Sequence, residues 1–377
     1  MSELFLCTKC VNPSTRPNST FDEYGVCGAC LLSNLNNSNS IDWKKRDQEL
    51  LEIVKWGQAN ASSSYDCIVT VSGGKDSMRQ AFFVRDDLDL NPLLVSCVYP
   101  PEHLHERGAR NLSNLIEHGF DCISVSLNPI VHKQLMRLCL QRYSNLFNAS
   151  EMALYAIPIH AAIAYQVPLV FLGDNPALTV GEGHGTSTDG DASQTRHSHT
   201  LMGGNSDIFL DAGFSKNDLY FYNYPSVSDF SAAKIRLVYL GYYIKDWSAE
   251  NNGTFAVKHG LEIRNENPKD IGDLDGFAGL DEDFRLVNQY IKFLKFGFGY
   301  VTDQVMDRIH AGKITRDQGL ELIDKFDGKL NRKYIERLCK YLNISENEFD
   351  EMAERSRDKN IWEKDRRGEW KVVRKSS

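Results

Sequence analysis

The chain has 377 residues, of which 42% are hydrophobic and 25% charged, a composition that suits a globular protein of two or three domains. Its formal net charge of -8 argues against a general nucleic-acid binder, which needs a positive face. No run approaches the ~18 apolar residues that span a membrane, and no secretory signal pattern is visible. We therefore predict a cytoplasmic protein with no membrane insertion and no nucleic-acid partner.

Four of the nine cysteines form two Cys-x2-Cys pairs near the start of the chain: Cys7 with Cys10, and Cys27 with Cys30. The 16 residues between the pairs match the spacing of four-thiolate zinc sites, whose closed tetrahedron leaves no position for a substrate. We predict a structural Zn²⁺ that stabilises this small segment, with a redox role as the alternative. The other five cysteines lie mostly in apolar runs and are interpreted as core residues.

A polar linker is predicted at residues 33–40, followed by an amphipathic helix near residues 43–59. From residue 66, short apolar runs alternate with longer amphipathic ones. Strands are predicted at 67–71, 92–99, 122–127 and 168–173, and helices at 78–84, 106–118, 130–146 and 152–165. This alternation predicts a parallel sheet with right-handed crossovers, and ligands bind such sheets beyond the carboxyl ends of the strands.

The second half of the chain begins with a long loop, predicted at residues 181–206 because no periodicity survives there. A helix that runs into a strand follows Pro225. The last hundred residues are predicted to be helical, with capping boxes formed by Thr315 with Gln318 and by Ser345 with Glu348. The predicted domains are a four-cysteine module with its linker (1–40), the α/β domain (41–280) and a C-terminal helical region (281–377).

The stretch VTVSGGKDSM, residues 69–78, follows the first predicted strand and has the glycines, lysine and hydroxyls of a phosphate loop. It is not a Walker loop, which requires Gly, four residues and then Gly-Lys-Ser/Thr. The position of the first glycine is Val69, and the residue after Lys75 is Asp76. The stretch must therefore bind a nucleotide in a different way.

Gly73 and Gly74 let the backbone approach a ligand closely, and consecutive amides with the next helix N-terminus suit an anion. Ser72 and Ser77 can donate hydrogen bonds to phosphate, although Ser77 could instead cap the helix together with Gln80. Lys75 supplies a positive charge, and Asp76 is predicted to bind Mg²⁺. The residues predicted to bind phosphate are Ser72, Gly73, Gly74, Lys75, Asp76 and Ser77.

The SGGKDS sequence resembles the PP-loop ATP pyrophosphatases, whose pattern is SGG-x-D-S after the first strand of an adenine-nucleotide α-hydrolase-like fold. The resemblance implies an α/β fold with helices on both faces of a parallel sheet, and a loop that holds the β,γ-pyrophosphate of ATP. A substrate oxygen attacks the α-phosphate in these enzymes, and a nitrogen or sulfur nucleophile then displaces AMP. Adenine commonly packs near the end of the second strand, here around Cys97 and Val98.

Asp174 follows a glycine at the end of the fourth predicted strand, where an acidic residue can reach a ligand. It is predicted to hold Mg²⁺ together with Asp76, and the alternative is a turn or helix-cap residue. The predicted catalytic residues are Lys75, Asp76 and Asp174.

Nearly the whole chain resembles the N-acetyl sugar amidotransferases of bacterial surface-polysaccharide and nonulosonic-acid biosynthesis, the WbpG/PseA type. The stretches that carry the resemblance are CTKCVNPSTRPNSTFDEYGVCGAC, VSGGKDS, LGYYIKDW (240–247) and KFGFGYVTDQVMDRIHAGKITRDQGLEL (295–322). The first and last are the more diagnostic, since SGG-x-D-S is shared by the superfamily. The resemblance implies that ATP and Mg²⁺ are used to turn an acetamido group of a sugar into an acetamidino group.

Ammonia for such a reaction needs a source. A built-in glutaminase would require an N-terminal cysteine or a cysteine elbow with a downstream histidine and acid; residue 2 is Ser2, and no cysteine lies in a G-x-C-x-G turn. The resemblance implies a separate glutaminase subunit and a cyclase-like subunit, similar to those of imidazole glycerol phosphate synthase.

The sugar, expected to be nucleotide-linked or acidic, needs polar and cationic contacts. The candidates are Glu182, His184, Tyr242, Tyr243, Lys295, Arg308 and Arg316, and the alternative for each is a surface charge or a packed aromatic ring. A tRNA-modifying PP-loop enzyme of the thiolation type is the alternative function, and a nucleotide-binding scaffold that has lost turnover is a further one.

Overall fold

The computed structural model describes residues 4–37, 41–181, 187–198 and 200–374. Seven strands are present in these ranges: β1 (Cys67–Val71), β2 (Pro92–Val98), β3 (Cys122–Ser126), β4 (Leu169–Leu172), β5 (Arg236–Tyr239), β6 (Trp362–Lys364) and β7 (Trp370–Val372). The α-helices are α1 (Gly28–Asn37), α2 (Trp43–Asn60), α3 (Lys75–Phe82), α4 (Glu106–Glu117), α5 (Pro129–Tyr143), α6 (Asn148–Tyr165), α7 (Pro176–Thr179), α8 (Val227–Ala232), α9 (Ala249–Lys258), α10 (Pro268–Ile271), α11 (Phe284–Phe296), α12 (Tyr300–His310), α13 (Arg316–Phe326), α14 (Arg332–Leu342) and α15 (Glu346–Ser356).

The central sheet has five parallel strands in the order β3-β2-β1-β4-β5. The chain first adds strands on one side of β1 and then crosses to the other side with β4. A crevice therefore opens between the carboxyl ends of β1 and β4, at the point where ligands bind in open α/β sheets. The residues that follow these two strands, Ser72–Ser77 and Gly173–Asp174, meet at this crevice.

Both faces of the sheet are buried because alternate side chains of each strand point to opposite sides. On one face Ile68 and Val170 pack with α5 and α6. On the other face Val69 and Phe171 pack with α2, α3, α4 and α9. This arrangement, with a C-terminal helical region and a four-cysteine cluster, confirms the predicted fold class.

Two further cores lie outside the sheet. One is built from α11, α14, α15 and the β6–β7 hairpin. The other joins the four N-terminal cysteines to Val301, Val305 and Met306 of α12 and to Ile323 of α13. The segment from Cys7 to Cys30 is therefore packed against α12 and α13, which begin about 270 residues or more later in the chain.

Most of the predicted elements are confirmed, including both capping boxes, at Thr315 and Ser345. The linker prediction at 33–40 is corrected, since α1 continues to Asn37. The helix after the loop begins earlier than predicted, at Lys75, and is followed by a π-turn at Phe83–Asp87. The C-terminal region ends in a small hairpin rather than in helix. The predicted domain boundaries at 40 and 280 stay predictions.

Of the helices in the described part of the chain, none combines the length and the apolar character that crossing a membrane would require.

Candidate active site

The SGGKDS loop connects β1 to α3 in a conformation that depends on Gly73. Its φ of 81° lies in the left-handed region, and a Cβ there would stand 2.9 Å from the backbone nitrogen of Leu112. The Ser77 hydroxyl accepts a hydrogen bond of 2.8 Å from the Ser72 amide, so it holds the loop closed. Because Ser77 is already the third residue of α3, its alternative role as a helix cap is wrong.

The N-terminus of α3 points its free amides into the crevice. Gly74 is the N-cap, and no side chain caps the helix. A Cβ at Gly74 would meet only the Ser72 hydroxyl oxygen, at 3.5 Å, so the space in front of the loop is open. Unpaired amides at a helix start carry positive potential and are ready donors for phosphate oxygens. The loop therefore fits the pyrophosphate-binding role predicted for it.

The charged residues of the crevice face one another across β1 and β4. Lys75 Nζ lies 2.5 Å from Asp76 Oδ2, and Asn252 Nδ2 donates to Asp76 Oδ1 at 2.8 Å. The Trp247 indole donates to Asp174. Burial and the charge of Asp76 raise the pKa of Asp174, with Lys75 and Trp247 offsetting part of the effect. Two carboxylates that repel each other in this way form a donor set that suits Mg²⁺.

Lys75 keeps its charge in this setting. Burial opposes the charged form, but Asp76, Asp174 and Asp307 together raise the pKa of Lys75. The side chain is therefore a stable cation beside the helix N-terminus. Asp307 comes from α12, more than 200 residues away, and local sequence patterns did not indicate it.

Two cavities open on either side of the loop, and Lys75, Phe277 and Tyr300 line both. The smaller, of about 320 Å³, lies between the loop, the end of β2, α6 and α11. The larger, of about 1190 Å³, lies between α9 and α12. Lys75 therefore lies where a ligand in one cavity would meet a ligand in the other.

The smaller cavity corrects the prediction for Val98. Cys97 and Tyr99 line it and Val98 does not, because successive side chains at the end of a strand point to opposite faces. Arg285 of α11 also lines this cavity and forms an ion pair of 3.2 Å with Glu151. Sequence reasoning missed Arg285, since nothing near it in the chain indicates a nucleotide site.

One wall of the larger cavity is a single face of α12. It carries Asp303 and Asp307, which lie one helical turn apart on the same side of α12, and the adjacent Arg308. Arg308 forms an ion pair with Asp275. Asp303 is held by Arg16 of the N-terminal segment and by Lys292, whose Nζ lies 2.8 Å away. The one-turn spacing of Asp303 and Asp307 is a sequence signal that could have indicated these acids, although it does not show what α12 packs against.

The predicted sugar-binding residues separate into different places. Arg308 lies in the larger cavity, as a substrate-binding residue would. Lys295 and Arg316 are corrections: Lys295 donates to the Tyr143 carbonyl at 2.9 Å, and Arg316 Nε donates to the Cys7 and Cys10 carbonyls at 3.0 and 2.9 Å. Neither lines either cavity.

The two tyrosines on the sugar-binding list are also corrections, since neither lines a cavity. Tyr242 stacks against Arg46, and Tyr243 packs beside Gly190 in a core. Glu182 and His184 lie outside the described residues, so they stay predictions.

The four N-terminal cysteines form a closed cluster with at most 4% of any residue exposed. Their ligand atoms all lie within 4.8 Å of one another, with Cys7 Sγ 3.8 Å from Cys30 Sγ and Cys10 Sγ 3.6 Å from Cys27 Sγ. A tetrahedron built on zinc–sulfur bonds of ~2.3 Å has edges of ~3.8 Å. In a [4Fe–4S] cluster each thiolate binds a different iron and stands farther from the others. The spacing therefore suits one tetrahedral ion.

Backbone amides reinforce this cluster. The amides of Lys9, Cys10 and Cys27 approach Cys7 Sγ, and the amide of Asn12 approaches Cys10 Sγ at 3.3 Å. Such N–H···S contacts stabilise thiolates that bind a metal. Outside the cluster, His310 Nε2 lies 3.2 Å from Cys30 Sγ and ties the module to α12.

The strand order, the SGGKDS loop at the switch point and the acidic pair beside it match the arrangement expected of a PP-loop α/β fold. Residues 273–377 match the family model described as "LPS biosynthesis protein WbpG-like, C-terminal domain". This range includes α11 and α12, which line the two cavities. Residues 273–377 are therefore similar to the C-terminal domain of WbpG-like proteins, in agreement with the predicted resemblance.

Solved structures similar to this chain include the NH3-dependent NAD synthetase of Campylobacter jejuni subsp. jejuni NCTC 11168, at 13% identity and a TM-score of 0.30, covering 60% of this chain and 100% of that one. The NMN synthetase of Francisella tularensis has 14% identity and a TM-score of 0.28, with coverage of 60% and 99%. The U34-tRNA thiolase NcsA of Methanococcus maripaludis, with its [4Fe-4S] cluster, has 11% identity and a TM-score of 0.34, with coverage of 89% and 88%. Among curated proteins the sequence has no match.

Proposed function

We propose that this protein is an ATP-dependent, AMP-forming amidotransferase that converts the acetamido group of an N-acetylated sugar into an acetamidino group. The observation that carries the proposal is the position of Lys75 between two cavities, one of which is walled by α12 of the WbpG-like segment. ATP needs one site and the sugar another, and the two must meet at the α-phosphate. The proposed product would serve bacterial surface polysaccharide or nonulosonic-acid biosynthesis, in the cytoplasm.

In the proposed first step, the acetamido oxygen attacks the α-phosphorus of ATP, and pyrophosphate leaves. An amide is a poor electrophile, and adenylation converts its oxygen into a good leaving group. The α3 amides and Lys75 neutralise the charge that builds on the departing pyrophosphate. Asp76 and Asp174 would hold Mg²⁺, which supplies further charge on the phosphates.

In the proposed second step, ammonia attacks the activated carbon, and AMP leaves with the electron pair of the carbon–oxygen bond. Atoms balance as amide, ammonia and ATP on one side and amidine, AMP and pyrophosphate on the other. The larger cavity has room for the sugar, and Arg308 is placed to contact an acidic group on it.

The cysteines support a separate source of ammonia. A glutaminase nucleophile is a thiolate, so its pKa must be low. Burial raises the pKa of Cys97 and Cys139 to about 12 and of Cys339 to about 11, and it also raises the pKa values of Cys67 and Cys122. The other four cysteines form the closed cluster, where we propose Zn²⁺. A separate glutaminase, with a cyclase-like partner, is therefore proposed to deliver ammonia.

The same facts weigh against tRNA thiolation. Enzymes of that class usually have a reactive cysteine near the loop, and burial holds Cys97, the cysteine that lines the smaller cavity, in its neutral form.

The test is to incubate the protein with ATP, Mg²⁺, ammonium and a panel of N-acetylated nucleotide sugars. The nucleotides are then separated, and the sugars are analysed by mass spectrometry. The proposal expects AMP, pyrophosphate and one sugar in which an oxygen has become NH. ADP as the product would overturn the mechanism. AMP with unchanged sugars, together with co-purifying RNA seen by absorbance at 260 nm, would favour the tRNA-modifying alternative.

A further inference from the structure

The larger cavity contains one carboxylate with a distinctive environment. Five acidic residues line this cavity, and four of them have a cationic partner: Asp246 pairs with Arg79, Glu250 with Lys313, Asp275 with Arg308, and Asp303 with Arg16 and Lys292. The fifth is Asp307. Within the described residues its carboxylate makes no hydrogen bond or ion pair, and it faces open cavity space.

Asp307 stands close to the reaction centre. It lies one helical turn after Asp303 on α12, and its charge acts on Lys75 of the loop. The cavity that it lines includes Lys75 itself, so the space between the two side chains is continuous. A group that enters the cavity to react at the α-phosphate side of the loop would therefore pass this carboxylate.

We propose that Asp307 is a catalytic residue that takes a proton from ammonium as the nitrogen attacks the adenylated acetamido carbon. This inference rests on the proposed amidotransferase function. In the step, an N–H bond of ammonium breaks and its proton goes to the Asp307 carboxylate, which leaves a lone pair on nitrogen. That lone pair forms the carbon–nitrogen bond. The nitrogen then gives a second proton to solvent, and the carbon–oxygen bond breaks with its electron pair leaving on AMP.

The electrostatic surroundings of Asp307 suit this role. Burial and the charges of Asp303 and Asp174 raise the pKa of Asp307 to about 7, while Lys75 and Arg16 work in the opposite direction. The other charged groups around the cavity include Arg308 on the same helix, Lys258 of α9 and Lys313 beyond α12. A carboxyl group with a pKa near the working pH is a far better proton acceptor than an ordinary aspartate.

Ammonium is also a chemically suitable guest for this side of the cavity. It is a small cation that can donate to a carboxylate, and Asp307 is the carboxylate of the described cavity lining that has no cation of its own. A sugar phosphate or carboxylate would be repelled by Asp307 and attracted to Arg308. Along this wall of α12, Asp307 would therefore contact the ammonium nucleophile and Arg308 would contact the sugar.

The experiment separates the two half-reactions in the full-length protein, with the sugar identified by the amidination assay. Exchange of labelled pyrophosphate into ATP, measured without ammonium, reports adenylation alone. Formation of the amidino sugar with ammonium reports both steps. The variants are Asp307→Asn, Asp307→Glu and the control Asp324→Asn, which removes an exposed carboxylate that pairs with Arg374 outside both cavities.

For Asp307→Asn we expect amidination to fall by ~10²-fold or more, the range for loss of a general base, and exchange to fall by a much smaller factor, since Asp307 supplies only part of the charge that stabilises Lys75. The deficit should shrink as the pH rises, because free ammonia needs no base to release its first proton. Asp307→Glu should restore part of the rate, and Asp324→Asn should match wild type in both assays.

Three results would overturn the inference. In the first, Asp307→Asn amidinates at the wild-type rate. In the second, it loses exchange and amidination together, and both return at higher Mg²⁺, which would make Asp307 a metal ligand. In the third, wild-type protein gives no exchange with any N-acetylated sugar, which would overturn the proposed function and this inference with it.

Discussion

The loop site and the cysteine cluster are both built from potential metal ligands, yet they are opposite in character. The cysteine cluster is closed, since its sulfur atoms contact one another and its residues are almost completely buried. The loop site is open: Asp76 borders the smaller cavity, Asp307 borders the larger one, and Asp174 is exposed. A closed site stabilises the chain and leaves no position for a ligand, whereas an open site keeps charge available for chemistry. The cysteine cluster therefore supports α12 by packing against it, whereas the loop site lies beside the face of α12 that lines the larger cavity.

The largest effect is expected from a substitution that disrupts the closed cysteine cluster. Cys10→Ser removes a fully buried thiolate beside the α12 core, so we expect loss of the bound metal and loss of the folded N-terminal module. Thermal unfolding and metal analysis by mass spectrometry measure the two effects. Cys122→Ser, at a half-buried thiol outside the cluster, is the control and should keep the metal. A Cys10→Ser protein with normal metal content and stability would show that the cluster is not a metal site.

The second prediction concerns the open site, where activity should fall without loss of fold. Lys75→Met removes the cation beside the helix N-terminus, and we expect pyrophosphate–ATP exchange to fall by ~10²- to 10³-fold, as for other groups that stabilise transition-state charge. The melting temperature should change little because the Lys75 side chain borders the cavities. Lys295→Met, at a lysine that lines neither cavity, serves as the matched control. Exchange that survives in Lys75→Met would exclude the loop as the pyrophosphate site.

The third prediction tests whether the loop depends on backbone shape as well as charge. Gly73→Ala adds a Cβ at a positive φ and within 2.9 Å of the Leu112 backbone. We expect the free energy of unfolding to fall by ~1–3 kcal/mol, with weaker ATP binding. Urea unfolding and calorimetric titration give the two values. Gly74→Ala is the comparison, since its Cβ has room in the protein but would stand in the ligand space; stability should hold while ATP binding weakens.

The smallest expected effect is a pH dependence of stability at Asp307. Its folded-state pKa of about 7 lies above the usual value of 3.8, so the folded state holds this proton more tightly than the unfolded state. Stability from this group is therefore present below about pH 4 and is lost as the pH rises through about 7. Asp307→Asn should raise the melting temperature at pH 8 and leave it unchanged near pH 4, relative to wild type. An equal shift at both pH values would mean that the carboxylate is not destabilised by its neighbours.

Local sequence predicted the parts of the site that are close together in the chain. Lys75, Asp76 and the strand before them follow one another, so the buried strand, the glycine pair and the helix start were all visible. Asp174 was also predictable, because it follows a strand whose carboxyl end must lie at the same edge of the sheet. The positions of four strands were predicted from apolar runs alone, since a parallel sheet buried on both faces demands them.

The residues that the sequence did not reveal are those brought in by long-range packing. Asp307 reaches the site only because α12 lies against the loop, and Arg285 reaches it only because α11 borders the smaller cavity. Arg316 is the opposite case, a residue that was predicted to lie in the site and lies outside it. Its charge suggested a substrate contact, but its partners are the carbonyls of Cys7 and Cys10, which nothing near residue 316 could indicate.

The packing of the N-terminal cysteines on α12 also sets an order of events during synthesis. The cysteine module is synthesised before its core partners Val301, Val305 and Ile323, which emerge almost 300 residues later. Arg16 must likewise wait for Asp303. The module therefore cannot complete its core until α12 and α13 have been made, and α12 in turn lacks this support until the module docks on it.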